Sequence, residues 1–283
     1  MKKTCFLLPS AFIAATLSTL ASPAVAAPAD TVTSPRLYAI DCGHIEAKDL
    51  SAFADTGEYE GKSGTLIDSC YLIRHPKGTL IWDTGLGDTL GTEGKDLGFA
   101  KVTVPKPLLG QLESIGVAPA DVNYLAFSHT HFDHTGNANA FTGATWILNP
   151  VEVHWAESVP NPFVDVNTFS AYKSARTQII DGDYDVFGDG TVKILKAPGH
   201  TPGHGVLQLK LKKAGVVVLS GDLYHTRANR TAKRIPGFNV SRADTLASID
   251  RIERIVKNTH AHFVVQHDAK DFATLPTFPA YLD

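Results

Sequence analysis

The sequence predicts a single α/β domain built as a four-layer αββα sandwich. Three observations support this fold class. Short apolar runs rich in β-branched residues occur in both halves of the chain, and segments with helical spacing alternate with them. Several of these runs end in turns that carry His or Asp. The chain has 283 residues, a length that suits one large domain with a substantial core.

The first half of the chain begins as a β-meander. Strands are predicted at residues 37–40, 65–73, 79–83 and 124–127, and helices at residues 107–115 and 149–156. Asn149 caps the second helix and Pro150 lies in its first turn. Residues 44–64 form a long polar loop that carries Phe53 and Tyr59, and we expect this loop to form one wall of a pocket.

The second half repeats the alternation of strands and helix. Strands are predicted at residues 178–180, 192–195, 206–211, 216–219 and 263–265, and a helix at residues 242–257. Two β-rich halves, each with helices outside it, predict the four layers.

The most informative motif is His129-Thr130-His131-Phe132-Asp133-His134, directly behind the strand at residues 124–127. A tight loop at a strand end can aim alternate side chains at one point. Neutral imidazoles beside a carboxylate are the ligand set that suits zinc and its neighbours. The motif therefore predicts a metal site.

Three later strand ends offer further ligands. His200 follows residues 192–195 within a rigid turn rich in Pro and Gly, Asp222 follows residues 216–219, and His267 follows residues 263–265. The order and spacing of these residues resemble the metallo-β-lactamase superfamily of dinuclear hydrolases, whose signature is H-x-H-x-D-H followed by His, Asp and His.

The resemblance implies two divalent metal ions, with zinc as the expected metal. His129, His131 and His200 would hold one ion, Asp133, His134 and His267 the other, and Asp222 would bridge them. Asp83 would orient a metal-bound histidine. His204 is expected to support the site rather than to bind metal, because the other positions already fill the scheme. Strand-end loops of both halves would then face one cleft.

Within the superfamily the chain resembles the N-acyl-homoserine lactone lactonases. The resemblance lies in residues 38–42, Ser69-Cys70-Tyr71-Leu72, Ile81-Trp82-Asp83-Thr84-Gly85, Gly182-Asp183-Tyr184-Asp185-Val186 and Phe278-Pro279-Ala280-Tyr281. It implies an enzyme that opens the ester ring of lactones, with Asp133 and Asp222 in the catalytic centre. A bridging acid such as Asp222 argues against antibiotic hydrolysis. Other hydrolases of the same scaffold, acting on organophosphotriesters, thioesters or β-lactams, are the alternative, and a non-enzymatic metal-binding protein is a third.

One position departs from the lactonase pattern. Those enzymes carry a tyrosine three residues after the bridging acid, where its hydroxyl bonds the lactone oxygens, but this chain has His225 there and Tyr224 before it. There are three alternatives: His225 donates this hydrogen bond instead, or Tyr224 donates it, or the substrate differs.

The composition and the N-terminus of the chain indicate its cellular location and the kinds of partner to expect. Lys2 and Lys3 precede an apolar segment and the small-residue site Ala24-Val25-Ala26, which predicts a signal peptide at residues 1–26, a flexible leader at 27–35 and the hydrolase domain at 36–283. We therefore expect a periplasmic or secreted enzyme without a stable membrane anchor. Lys+Arg 26 against Asp+Glu 29 argues against a nucleic-acid partner, so a small-molecule substrate is expected and a homodimer is left open.

Two cysteines remain after export, Cys42 and Cys70. They could pair in an oxidising compartment, since both lie on predicted strands that could be neighbours. Cytosolic relatives keep cysteines at the matching places, so two buried free thiols are the favoured expectation. Arg227 to Arg234 is a basic run, for which a solvated loop is favoured over a rim that attracts an anionic substrate group.

Overall fold

Two β-sheets face each other in the computed structural model, which describes residues 1–4, 32–158 and 160–283. Residues 32–283 form one compact unit. The predicted signal peptide and leader fall largely outside the described residues. Among those that are described, no helix is both long enough and apolar enough to cross a membrane.

The larger sheet has eight strands. They are β1 (Arg36–Ala47), β2 (Gly64–His75), β3 (Gly78–Trp82), β4 (Lys95–Asp96), β5 (Ala100–Thr103), β6 (Tyr124–Ala126), β7 (Thr145–Leu148) and β8 (Arg176–Ile179), in the order β4-β5-β1-β2-β3-β6-β7-β8. Strands β3, β6, β7 and β8 are parallel, so their carboxyl ends lie at one edge.

The smaller sheet has five strands. They are β9 (Tyr184–Asp185), β10 (Val192–Lys196), β11 (Gly205–Leu211), β12 (Gly215–Leu219) and β13 (His262–Val264), in the order β13-β12-β11-β10-β9. Strands β10, β12 and β13 run in the same direction, because β11 is antiparallel to both β10 and β12 and β13 is parallel to β12. Their carboxyl ends therefore share an edge as well.

The described residues form six α-helices. They are α1 (Leu108–Ser114), α2 (Phe132–Thr135), α3 (Pro150–Ser158), α4 (Arg227–Ala232), α5 (Arg242–Thr259) and α6 (Ala269–Phe272). Helices α1 and α3 cover the outer face of the larger sheet, and α5 covers that of the smaller sheet. One apolar cluster joins the inner faces of the two sheets, and contains Trp82 and Leu207. A second packs α1 on the larger sheet and a third packs α5 on the smaller sheet. This arrangement confirms the predicted αββα sandwich.

Helix α5 shows how the sequence specifies one of these layers. Ser241 accepts a hydrogen bond from the backbone N–H of Asp244 and so caps the helix. Ile249, Ile252 and Val256 recur at helical spacing and are buried against the smaller sheet. The helix spans the predicted residues 242–257 and two more.

The predicted loop at residues 44–64 is shorter in the structure, because β1 continues to Ala47 and pairs with β5 there. The remainder contains a 3₁₀ turn at Ser51–Phe53. The basic run is solvent-exposed in large part, as expected, but it is not a loop: residues 227–232 form α4, capped by Thr226. Arg227 pairs with Asp271 and Arg230 pairs with Glu253. Acidic side chains of this chain therefore neutralise much of the positive charge of the run.

The favoured expectation of two free thiols was wrong, because Cys42 and Cys70 form a disulfide. Strands β1 and β2 are antiparallel neighbours, and the pairing register shifts between Asp41 and Gly43. Cys42 lies at this bulge, and its Cα atom is 5.8 Å from that of Cys70, within the range that a disulfide needs.

Candidate metal centre

The seven predicted ligands come together where the carboxyl ends of both sheets meet. His129 and His131 lie in the loop after β6, and Asp133 and His134 lie on the short helix α2. His200 lies between β10 and β11, Asp222 in the 3₁₀ turn after β12, and His267 after β13. All seven side chains are almost completely removed from solvent.

The first group consists of His129, His131, His200 and Asp222. The Nε2 atom of His200 lies 3.1 Å from Nε2 of His129 and 3.1 Å from Nδ1 of His131. Oδ2 of Asp222 lies 3.3 Å from Nε2 of His200 and 3.7 Å from Nε2 of His129. Three imidazole nitrogens and one carboxylate oxygen thus surround one point.

The second group consists of Asp133, His134 and His267. The other oxygen of Asp222, Oδ1, lies 2.9 Å from Nε2 of His267 and 3.4 Å from Nε2 of His134. Asp133 lies 3.8 Å from each of these two nitrogens. One oxygen of Asp222 therefore faces each group, which is the geometry that a bridging carboxylate requires.

The electrostatics of the first group fit a metal cation. Burial and the neighbouring imidazoles hold the pKa of His129 and of His200 well below the usual value, and lower the pKa of His131 to about 3. Burial alone would raise the pKa of Asp222, but the imidazoles around it hold that pKa well below its usual range. Neutral imidazoles beside an ionised carboxylate are the protonation states that metal binding needs.

The hydrogen-bonding geometry leads to the same conclusion. Two neutral imidazole nitrogens can bond each other only if one of them carries a proton. His200 Nε2 faces two such nitrogens at once, and Nε2 of His134 has no hydrogen-bond partner among the described residues. A cation would satisfy these converging lone pairs together, so the residues present fit a metal site.

Groups behind the ligands fix the orientation of the rings. Oδ2 of Asp83 lies 3.0 Å from Nδ1 of His134, as the family resemblance implied. Asp83 has a φ of 57°, a left-handed conformation that is unusual for a residue with a side chain. Its other oxygen, Oδ1, accepts a 2.6 Å hydrogen bond from the backbone N–H of Ser128, which ties this turn to the metal-binding loop.

His204 supports the site, as predicted, instead of joining it. Its Nε2 atom accepts a 2.9 Å hydrogen bond from the backbone N–H of Asp222, and its Nδ1 lies 2.9 Å from the carbonyl oxygen of Ala197. The side chain thus holds the turn that presents the shared carboxylate.

Sequence reasoning missed other supporting groups. Ser128 Oγ lies 3.0 Å from Nδ1 of His129, Asn239 Oδ1 lies 2.9 Å from Nδ1 of His200, and the carbonyl oxygen of Ile67 lies 2.8 Å from Nδ1 of His267. It also missed Asp68, which is fully buried. Burial raises the pKa of Asp68 well above its usual value, and Asp133 adds to this effect. Only the position of Ser128, next to His129, could have been noticed in the sequence.

The two residues at the position that departs from the lactonase pattern point in opposite directions. Nε2 of His225 lies 3.0 Å from Oδ2 of Asp222, so this ring faces the centre. The hydroxyl of Tyr224 donates a 3.2 Å hydrogen bond to Glu253, on the side of the smaller sheet where α5 packs. The structure therefore corrects the suggestion that Tyr224 serves the catalytic centre.

A pocket of about 270 Å³ opens directly above the centre. Its floor contains His131, Asp133, Asp222, His225 and His267, and its walls contain Ile45, Phe53, Leu66, Phe99, Phe132, Phe163 and Phe238. Residues 49 and 51–53 lie in this wall, which confirms the prediction that the loop before β2 lines a pocket. The pocket combines an apolar wall with a polar floor.

The comparison with protein families agrees with this geometry. Residues 64–259 match the family model described as the metallo-beta-lactamase superfamily. The chain belongs to the metallo-β-lactamase superfamily. This segment begins at β2 and contains six of the seven ligands; His267 lies just after it.

Curated relatives cover nearly the whole chain. The N-acyl homoserine lactonase AttM of Azorhizobium caulinodans is 29% identical over 266 residues, covering 89% of this chain and 100% of the relative. The N-acyl homoserine lactonase AiiA of Bacillus thuringiensis subsp. kurstaki is 29% identical over 265 residues, again covering 89% and 100%.

Solved structures of similar proteins include a quorum-quenching N-acyl homoserine lactone hydrolase, with a TM-score of 0.76 and 28% identity over 89% of this chain and 100% of the other. Another is an N-acyl homoserine lactone hydrolase with the product N-hexanoyl-L-homoserine bound at its catalytic metal centre. It has a TM-score of 0.76 and 28% identity over 88% of this chain and 100% of the other.

Proposed function

We propose that this protein hydrolyses the ester ring of N-acyl homoserine lactones. The observation that carries the proposal is the position of the apolar pocket directly above the seven converging ligands. Such a pocket suits a substrate with a small polar ring and an apolar acyl chain. Relatives named as lactonases of this substrate class, similar over nearly the whole chain, support the same assignment.

The aromatic wall provides the surface for an acyl chain. The rings of Phe53 and Phe238 lie 5.3 Å apart, those of Phe238 and Phe163 also 5.3 Å, and those of Phe163 and Phe99 5.9 Å. These four rings form a continuous row along the pocket. Phe53 and Phe238 contact His225, and Phe163 contacts His131, so the row begins beside the centre. Phe99, at the outer end of the row, is 42% exposed. An exposed aromatic surface of this kind is expected where a bound ligand covers it.

We propose that two divalent ions occupy the centre and that zinc is the native metal. His129, His131 and His200 hold one ion, Asp133, His134 and His267 the other, and Asp222 binds both. The split of the two Asp222 oxygens between the groups supports this arrangement. When bound, the ions lower the pKa of a water molecule and polarise the ester carbonyl.

The side chains of the protein orient the reaction. Water adds to the ester: its oxygen bonds the carbonyl carbon, the bond from that carbon to the ring oxygen breaks, and the ring oxygen gains a proton. Asp133 lines both the pocket and the centre, so its carboxylate is placed to hold the attacking water and to pass a proton to the departing oxygen. The phenylalanine row lines the pocket with apolar surface and so keeps bulk water away from the ester.

We also propose that the protein is exported to the periplasm or beyond. Lys2 and Lys3, the apolar segment after them and Ala24-Val25-Ala26 support this location. The disulfide between Cys42 and Cys70 is consistent with an oxidising compartment. Mass spectrometry of the protein from the native cell envelope should find a mature N-terminus near residue 27; an intact Met1 would contradict export.

The function is tested by a turnover panel with the metal-loaded enzyme. Acyl-homoserine lactones with four to twelve carbons in the acyl chain are compared with a simple lactone, a phosphotriester, a thioester and a carbapenem. We expect the acyl lactones to have the highest kcat/KM, and the metal content to approach two ions per chain. A higher kcat/KM for the phosphotriester or the thioester would contradict the proposal.

A further inference from the structure

The imidazole of His225 lies against the first ligand group and contacts Asp222, although it is not a member of that group. Its Nε2 atom lies 3.0 Å from Oδ2 of Asp222, closer than the Nε2 atoms of His200 at 3.3 Å and His129 at 3.7 Å. Three imidazole nitrogens therefore converge on one carboxylate oxygen. Two of them belong to the seven expected ligands, and the third does not.

The distance from His225 to Asp222 is compatible with two ligand atoms on one ion. Ligand atoms about 2.0–2.1 Å from a tetrahedral zinc ion lie roughly 3.3 Å from one another. The distance from Nε2 of His225 to Oδ2 of Asp222 is close to this value. The ring centroid of His225 is also 5.2 Å from that of His200 and 5.7 Å from that of His267, so the ring borders both ligand groups.

Packing holds the ring in this place. The rings of Phe53 and Phe238 contact His225 edge-on, with centroids 5.1 Å and 5.4 Å away. The side chain is buried, and Nδ1 has no hydrogen-bond partner among the described residues. Burying an unpaired ring nitrogen is unfavourable. A strong interaction at Nε2 would offset that cost.

We propose that Nε2 of His225 is an eighth ligand, which binds the ion held by His129, His131 and His200. His200 and His129 each have a polar group at the second ring nitrogen, whereas His225 has none among the described residues. Because such outer groups strengthen a metal-bound histidine, His225 would bind the ion more weakly than His129 and His200. A nitrogen that binds a metal carries no proton, so Nε2 of His225 would then not donate a hydrogen bond to the lactone oxygens. The proposal rests on the metal centre of the proposed function and not on its substrate.

Cobalt-substituted protein tests this role without any measurement of turnover. Each imidazole bound to paramagnetic Co²⁺ gives a strongly shifted ring N–H signal in the proton NMR spectrum, and the buried Nδ1 of His225 protects its proton from exchange. Wild type is compared with His225→Phe and His225→Gln. The glutamine can still donate a hydrogen bond to Asp222 but lacks the imidazole. Tyr224→Phe is the matched control at the neighbouring position.

We expect wild type and Tyr224→Phe to show one shifted N–H signal more than both His225 variants. Chelator competition should show that one of the two ions binds roughly 10-fold or more weakly in both variants. An unchanged number of shifted signals in either His225 variant would overturn the proposal and leave a hydrogen bond to Asp222. If His225→Phe does not fold, His225→Gln decides alone. A protein that shows these differences and yet does not open lactones would contradict the proposed function and leave the eighth ligand intact.

Discussion

At the scale of single residues, Asp222 is the side chain on which both ligand groups depend. Its Oδ2 faces His200 and its Oδ1 faces His267. We predict that Asp222→Ala lowers kcat/KM for lactones by at least about 10³-fold, because several kcal/mol of transition-state stabilisation depend on the ions. Elemental analysis should show fewer than two ions per chain. Near-normal turnover with two bound ions would refute the bridging role.

Asp83 orients the ligand His134, so its loss should lower activity less than the loss of Asp222. Asp83→Asn removes the carboxylate that lies 3.0 Å from Nδ1 of His134. We predict a fall of about 10- to 100-fold in metal affinity or activity, the usual range for such outer groups. Asp121→Asn, at an exposed position, is the control and should change neither metal affinity nor activity. A loss as large as that of Asp222→Ala would mean that Asp83 does more than orient His134.

The ligands could be predicted from the sequence because each follows a strand in a recognisable order. The groups behind them could not. Asn239 is 39 residues from His200, and Ile67 is 200 residues from His267. An Asn in a loop or a backbone carbonyl in a strand has no local pattern that indicates a partner so far along the chain. Tyr224 was ambiguous for the same reason, since only the fold shows that it points to Glu253.

At the scale of elements, the phenylalanine row should determine which acyl chains are bound well. We predict that Phe238→Ala lowers kcat/KM for decanoyl-homoserine lactone more than for the butanoyl substrate. Each buried CH₂ contributes about 0.8 kcal/mol, or roughly a fourfold effect. Ile179→Ala, an exposed change on β8, is the control. If Phe238→Ala lowers kcat/KM equally for both chain lengths, the row does not bind the acyl chain.

The disulfide fastens β1 to β2 on the outer side of the larger sheet, where α1 packs. Cys42→Ser removes a link between residues that are 28 positions apart. We predict a loss of about 3 kcal/mol in the free energy of unfolding, measured with denaturant, because the unfolded chain gains freedom. Wild type unfolded in reductant should show the same loss. No difference between oxidised and reduced wild type would mean that the link does not stabilise the fold.

Elements with a clear apolar period were predicted closely, whereas two-residue strands were missed. Helix α5 and strand β2 have enough apolar positions to show their period, and their predicted bounds lie within two residues of the observed ones. Strands β4 and β9 have two residues each and exist through pairing with a neighbour. Such pairing depends on tertiary contacts that a local pattern does not contain.

At the scale of the whole molecule, the metal centre joins the two sheets. His129, His131, Asp133 and His134 follow β6 of the larger sheet, whereas His200, Asp222 and His267 follow strands of the smaller one. Each ligand group contains residues from both sheets. The family resemblance implied this convergence. Bound ions would therefore link two halves that otherwise meet through an apolar core.

This link leads to a prediction about stability. A metal that binds only the folded state stabilises it by about 4 kcal/mol when its free concentration is 1,000 times its dissociation constant. For a domain of this size that corresponds to a rise in Tm of roughly 10 °C. We therefore predict that prolonged dialysis against a chelator lowers Tm by about this amount, and that Zn²⁺ but not Mg²⁺ restores it, since imidazole nitrogens bind Mg²⁺ poorly. Asp222→Ala should respond much less to both treatments. Equal Tm values for the dialysed and zinc-loaded wild-type protein would mean that the ions do not hold the two sheets together.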